Sequence, residues 1–155
     1  MNDLNNVKIG IVGSSGGHLF QLYRLKPWWS KYKRFWVTFK KQDARSLLED
    51  ETTYWCYYPT NRSIKNLIRN AFLAIRILRK ERPDLLISTG AGPAVPFFYL
   101  GKVLGAKLIF IEVYDRITAP TLTGKLVYPI VDAFIVQWPE QQKAFPKGIY
   151  LGKLL

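Results

Sequence analysis

At 155 residues, 48% of them hydrophobic, the chain is long enough to bury one sizeable core and too short for two ordinary domains. Its 23 Lys plus Arg against 11 Asp plus Glu leave a formal charge of +12, which calls for a polyanionic partner, either nucleic acid or an anionic membrane surface. The single cysteine, Cys56, excludes an internal disulfide, suits a reducing cytoplasm, and reads as a small buried hydrophobe in a strand.

Met1 to Asn6 is polar and leads directly into an apolar strand, which is not the order of a secretory signal. Strands are expected at Val7 to Val12, Arg34 to Phe39, Thr53 to Tyr57, Leu85 to Ser88, Lys107 to Ile111, Ala133 to Val136 and Ile149 to Leu151. Helices fall between them at His18 to Leu25, Gln42 to Glu49, Ser63 to Glu81, Pro93 to Leu104, Thr121 to Val131 and Glu140 to Ala144. The alternation predicts a Rossmann-like α/β domain, a mostly parallel sheet with helices on both faces. Ser63 is a natural N-cap, Pro83 cannot continue the longest helix, and Gly105 suits a left-handed helix end. The uncharged run Leu85 to Gly101 approaches the ~20 residues of a membrane span, but Gly90, Gly92, Pro93 and Pro96 make it strand, turn and helix.

The first strand feeds Gly13-Ser14-Ser15-Gly16-Gly17-His18. Glycines there let backbone approach a ligand, and the helix that follows offers N–H groups to a phosphate or diphosphate. The spacing matches neither G-x-G-x-x-G nor the P-loop, whose lysine is missing. His18 sits in the first helical turn at the carboxyl end of a strand, either closing the turn or acting as a general base or an acceptor-phosphate contact. A helix N-terminus disfavours imidazolium, so the neutral form is expected.

In the long helix, Ile64, Leu67, Ile68, Ala71, Phe72, Ile75 and Leu78 form one stripe at helical spacing, expected to be core. Lys65, Arg69, Arg76 and Lys80 fall on a flank with Leu73 and Ile77 beyond them, a face suited to a membrane interface or to plain solvation. Trp28, Trp29, Lys31, Lys33 and Arg34 form a second basic and aromatic group whose tryptophans equally suit core anchors.

Three blocks carry a resemblance that spans nearly the whole chain. They are Gly13 to Leu19; Ser88-Thr89-Gly90-Ala91-Gly92-Pro93 with Val95-Pro96-Phe97; and Ile111 to Leu151, with Glu112, Arg116, Leu122-Thr123-Gly124-Lys125, Asp132, Val136-Gln137-Trp138-Pro139 and Tyr150-Leu151-Gly152. Together they resemble the acceptor-side, membrane-anchoring subunits of the split N-acetylglucosaminyltransferase of asparagine-linked glycan assembly, and still more the PssD-type proteins of bacterial capsule and exopolysaccharide synthesis. The glycine turn is also similar to the acceptor loop of MurG. The resemblance implies the N-terminal half of a GT-B glycosyltransferase, needing no cofactor or metal; no Asp-x-Asp or His/Cys cluster suggests one. It implies a heterodimer with a donor-binding subunit that holds most of the UDP-sugar, acting on a polyprenyl-diphosphate-linked saccharide in capsule, exopolysaccharide or lipid-linked oligosaccharide synthesis.

By the same resemblance His18 and Glu112 are catalytic, and Ser14, Ser15, Gly16, Gly17, Gly90, Gly92 and Arg116 bind acceptor or phosphate. On residue chemistry alone Glu112 equally suits a satisfied strand-end polar group and Arg116 a surface ion pair, while Gln137-Trp138-Pro139 reads as packing or interface. The sequence ends near Gly152-Lys153-Leu154-Leu155, where a second domain would begin, so the tail near 150–155 is expected to meet the partner. The amino-terminal transmembrane anchor of many eukaryotic relatives is missing, so the basic patches are expected to hold the protein peripherally on the inner face of the plasma membrane. Two rivals stand beside this expectation. One is a noncatalytic scaffold that recruits the partner to the membrane; the other is a nucleic-acid-binding module, for which charge is the sole support.

Overall fold

The computed structural model describes residues 6–154, so the polar lead over Met1 to Asn5 and the last tail residue, Leu155, lie outside the described residues. The strands are β1 (Lys8–Gly13), β2 (Lys33–Phe39), β3 (Thr53–Cys56), β4 (Leu85–Gly90), β5 (Lys107–Ile111), β6 (Ala133–Val136) and β7 (Ile149–Tyr150). They form one seven-stranded parallel sheet in the order β3-β2-β1-β4-β5-β6-β7. The chain winds outward from β1 to β3, then crosses back to β4 beside β1. Strand order therefore reverses between β1 and β4, where open sheets of this kind bind ligands beyond the carboxyl ends of the strands.

Helices α1 (Gly17–Arg24), α2 (Lys26–Trp29) and α3 (Gln42–Leu47) cover one face, and α4 (Ile64–Glu81), α5 (Ala94–Val103) and α6 (Leu122–Val127) the other. Strand residues alternate between two cores as a pleated sheet requires. Ile9, Ile11 and Trp36 pack with Leu19, Leu22 and Trp29, whereas Val12, Phe35 and Val37 pack with Ala74, Ile77 and Phe97. Cys56 is buried in the second core, and burial pushes its thiol pKa up to about 12, so it is inert packing.

Helix ends follow local chemistry. Ser63 Oγ accepts from the Asn66 N–H at 3.3 Å to open α4, and Arg82 closes it in the left-handed region just before Pro83. α6 stops at Val127 rather than at the expected Val131, because Pro129 removes a donor from the ladder. Pro139–Lys143 is a 3-10 helix, and α2 was not expected; Pro27 in its first turn starts it anew after Leu25.

The largest departure is the face α4 buries. Asn66, Asn70, Ala74, Ile77 and Leu78 point inward, while Ile64, Leu67, Ile68 and Phe72, expected as core, are exposed, Phe72 by 70%. The two asparagines explain the inversion. Asn70 donates to the Tyr57 carbonyl at 3.0 Å and accepts from the Tyr57 N–H at 2.8 Å, and Asn66 donates to the Pro59 carbonyl at 2.8 Å. These bonds pair part-buried backbone after β3, and with them the polar side of the helix is drawn in. Ile77 is consequently buried and Leu73 packs against the core, which removes both from the expected membrane-facing set. Lys65, Arg69, Arg76 and Lys80 of that set are exposed.

Candidate functional site

β1 and β4 deliver the two glycine turns side by side: Gly13 pairs with Gly90, after a register shift at Val12/Gly13. Gly16, at φ 76°, occupies the left-handed region that glycine adopts without strain and so permits the tight entry to α1. His18 in the first turn of α1 is locked to the end of β4 by a reciprocal pair. Its Nδ1 lies 3.1 Å from the Thr89 carbonyl, and Thr89 Oγ1 donates to the His18 carbonyl at 2.9 Å. A carbonyl only accepts, so the neutral ring carries its proton on Nδ1 and leaves the Nε2 lone pair free. Burial lowers the imidazole pKa below its ordinary value, outweighing the raising effects of the Thr89 carbonyl and Asp115, so the ring is neutral at pH 7. A Cβ on Gly90 would sit 3.5 Å from His18 Cε1, which places the second turn against the ring.

The first turn is less open to anions than its composition suggests. The Gly16 N–H already donates to Asp43 Oδ2 at 2.7 Å, so a carboxylate from α3 sits where a diphosphate oxygen was expected. Ser14 is buried, with its hydroxyl on the Ser15 carbonyl at 3.3 Å, and Ser15 is half-buried.

Glu112 follows directly on β5 and is wholly buried. Its Oε1 accepts from the Val113 N–H at 3.0 Å and from Thr121 Oγ1 at 2.9 Å, and its Oε2 from the Thr121 N–H at 3.3 Å. Thr121 also caps α6 through the Gly124 N–H, and a Cβ at Gly124 would strike Glu112 Oε2. Burial raises the carboxyl pKa, against those hydrogen bonds. The carboxylate thus clamps the loop from Val113 to Thr121. Arg116 lies exposed on that loop and forms no ion pair with Glu112 or any other acid among the described residues; its carbonyl accepts from Gln141 Nε2 at 3.0 Å.

Glutamines tie these parts together. Buried Gln137 donates through Nε2 both to Gln21 Oε1 of α1 at 2.8 Å and to the Glu112 carbonyl at 2.9 Å, so one side chain joins the His18 helix to the Glu112 loop. Its Oε1 accepts from the Leu154 N–H at 2.9 Å, and Lys153 Nζ lies 3.7 Å from the Trp138 ring centroid. The second basic and aromatic group divides: Lys31 and Lys33 are exposed, Trp28 and Arg34 are half-buried, and Trp29 belongs to the core. Trp29 is buried and donates to the Leu22 carbonyl, while Arg34 packs over Trp29 and pairs with Glu51 through two 2.7 Å hydrogen bonds.

Beyond this switch point, a family model described as "Oligosaccharide biosynthesis protein Alg14 like" matches residues 57–154, more than half of the chain. The chain belongs to the Alg14-like family. Similar relatives named "UDP-N-acetylglucosamine transferase subunit ALG14" include the human protein, 25% identical over 97% of this chain and 84% of its own length, and that of Candida albicans, 29% identical over 98% and 80%. Among solved structures the Alg14-like fold is similar to MurG of Acinetobacter baumannii, with a TM-score of 0.72 and 15% identity over 86% of this chain. It also resembles a UDP-N-acetylglucosamine 2-epimerase from Rickettsia bellii, with a TM-score of 0.73 and 14% identity over 97% of this chain. The chain spans 42% and 46% of those two proteins, a share that fits one half of a GT-B architecture.

The sequence reading singled out His18, Gly16 and Glu112; the structure adds Thr89 as the partner of His18, Asp43 as the partner of the Gly16 amide and Gln137 as the partner of the Glu112 carbonyl. Thr89 carried a signal, a hydroxyl residue at a strand end beside a glycine turn. Asp43 carried none and Gln137 read only as packing or interface, because their contacts cross 27 and 116 residues of sequence.

Proposed function

We propose that this Alg14-like chain is the acceptor-side subunit of a two-chain glycosyltransferase. A partner holds most of a UDP-sugar, UDP-N-acetylglucosamine by analogy with the relatives' names, and this chain presents a polyprenyl-diphosphate-linked saccharide of capsule, exopolysaccharide or lipid-linked oligosaccharide synthesis. The observation that carries the proposal is the His18–Thr89 pair at the strand-order reversal, which leaves a neutral imidazole with Nε2 as its free base. The acceptor hydroxyl gives its proton to Nε2 as its oxygen bonds to the anomeric carbon. The bond from that carbon to the UDP oxygen breaks, and UDP leaves with the electron pair. Glu112, sealed from solvent, would act as a positioning residue for the loop, and Arg116, exposed on that loop, would meet acceptor phosphate.

Membrane contact falls to the outer surface of α4, α5 and α6, where Ile68, Phe72, Tyr99, Val103, Leu122 and Leu126 are exposed among Lys65, Arg69, Arg76 and Lys125. No helix among the described residues is long and apolar enough to cross a membrane, and peripheral attachment on the inner face of the plasma membrane fits that face. Each Lys or Arg near an anionic leaflet contributes about 1 kcal/mol. The tail, held on Gln137 and Trp138, is where the partner would continue the cleft.

The test is reconstitution with the donor-binding partner. His18→Ala is expected to lower transfer by about 10²–10⁴-fold with the complex intact on gel filtration. Unchanged turnover would overturn the base assignment, and failure of the chain alone to bind acceptor would leave a recruiting scaffold.

A further inference from the structure

Two residues with side chains on left-handed backbone, Arg62 at φ 54° and Ala91 at φ 63°, line the same cleft. The third such residue among those described, Arg82, ends α4, where that conformation is ordinary. Non-glycine residues persist there only where their surroundings over-determine them, and such positions concentrate at ligand sites.

The cleft, about 1020 Å³, lies between the start of α4, the β4–α5 turn and α6. Its walls are apolar: Ile64, Leu67, Val95, Leu122 and Leu126. Thr60, Ser63 and Thr123 add hydroxyls, and among the described residues Arg62 is the one charged group in the lining, which includes no acid. The rim is rigid, because Asn66 and Asn70 hold the backbone at Pro59 and Tyr57. Gly92 is fitted against the Thr60 side chain so closely that a Cβ would collide with it. Ala91 and Gly92 follow directly on Gly90, where an added Cβ would meet the His18 ring, so one wall of the cleft continues the turn that borders the proposed reacting centre. On its outer side Ile64 and Leu67 continue into the exposed Ile68 and Phe72.

We infer that this cleft takes the first isoprene units of the acceptor's lipid, with the diphosphate at Arg62 and the Gly90–Gly92 turn. The inference rests on the acceptor-side function proposed above and assigns the lipid a place. An apolar wall ending at one cation beside a glycine turn is complementary to a prenyl diphosphate, whose charge is confined to one end. The remainder of the chain would leave over Ile68 and Phe72 into the bilayer. A phospholipid surface needs only the outer face and its flanking cations.

Farnesyl diphosphate, a water-soluble prenyl diphosphate, is the probe, titrated calorimetrically into the purified chain beside geranyl diphosphate and inorganic diphosphate. Farnesyl diphosphate is expected to bind about tenfold or more tighter than inorganic diphosphate, with the geranyl compound between them. Leu122→Asp and Leu67→Asp, both at exposed positions, should each weaken farnesyl diphosphate about tenfold. Phe72→Asp, outside the cleft, should leave that affinity unchanged while weakening binding to phosphatidylglycerol vesicles. Equal affinity for all three anions, or indifference to Leu122→Asp, overturns the inference. Farnesyl diphosphate binding with this pattern in a chain whose reconstituted pair transfers no sugar would refute the transferase proposal alone. Transfer whose acceptor KM ignores both cleft substitutions would refute the cleft alone.

Discussion

The Thr89 carbonyl decides which nitrogen of His18 carries the proton, and burial decides that the ring carries only one. The lowered pKa has a definite consequence for stability. On acidification through the ordinary imidazole value of 6.5, the unfolded chain takes up a proton that the folded chain resists, so stability is lost as pH falls below about 6.5. Urea denaturation at pH 7.5 and 5.5 should therefore show the native chain losing more stability than His18→Gln, which has no proton to gain; parallel losses would refute the buried neutral ring. Gly124 offers a second residue-level test. A methyl there meets the Glu112 carboxylate and Thr121 Oγ1 together, so Gly124→Ala should destabilise by roughly 1–3 kcal/mol in denaturant melts, as overpacking does. Ala at Gly16 should also cost stability, through its φ of 76° rather than through contact, since open space surrounds that position.

α4 is the element on which local pattern and tertiary placement disagree. Its stripe of Ile64, Leu67, Ile68 and Phe72 has the spacing of a core face, yet Asn66 and Asn70 occupy the inward positions because the backbone after β3 needs their amides. Asn70→Leu should cost about 1–3 kcal/mol for each backbone group left unpaired, measured as a shift in urea midpoint. Ile68→Asp and Phe72→Asp, on the outward side, should change stability by no more than about 0.5 kcal/mol and yet lower sedimentation with anionic vesicles. Large destabilisation by either aspartate would mean that the stripe is core after all. α6 is shorter than its periodicity predicts for a simpler reason, the proline at position 129.

Across the molecule, a charge of +12 and the exposed apolar residues of α4, α5 and α6 combine two forces with different responses to salt. Raising ionic strength from 0.1 to 1 M shortens the Debye length from about 10 to about 3 Å, so vesicle binding should fall steeply but incompletely, with the residue carried by apolar contact. Complete loss would leave charge alone as the attachment. All seven strands and the order of the main helices were legible in the sequence, because a buried parallel strand is a short apolar run and helix ends carry Ser63, Pro83 and Gly105. The glycine turns and His18 were legible for the same reason, their chemistry being local. What only the tertiary structure decided depends on contacts between distant segments: Asp43 taking the Gly16 amide, Gln137 joining α1 to the Glu112 loop, Glu112 sealed as a clamp, and the inverted face of α4. Periodicity reports that a helix has an apolar side; which side turns inward is settled by the hydrogen bonds that the rest of the fold leaves unmade.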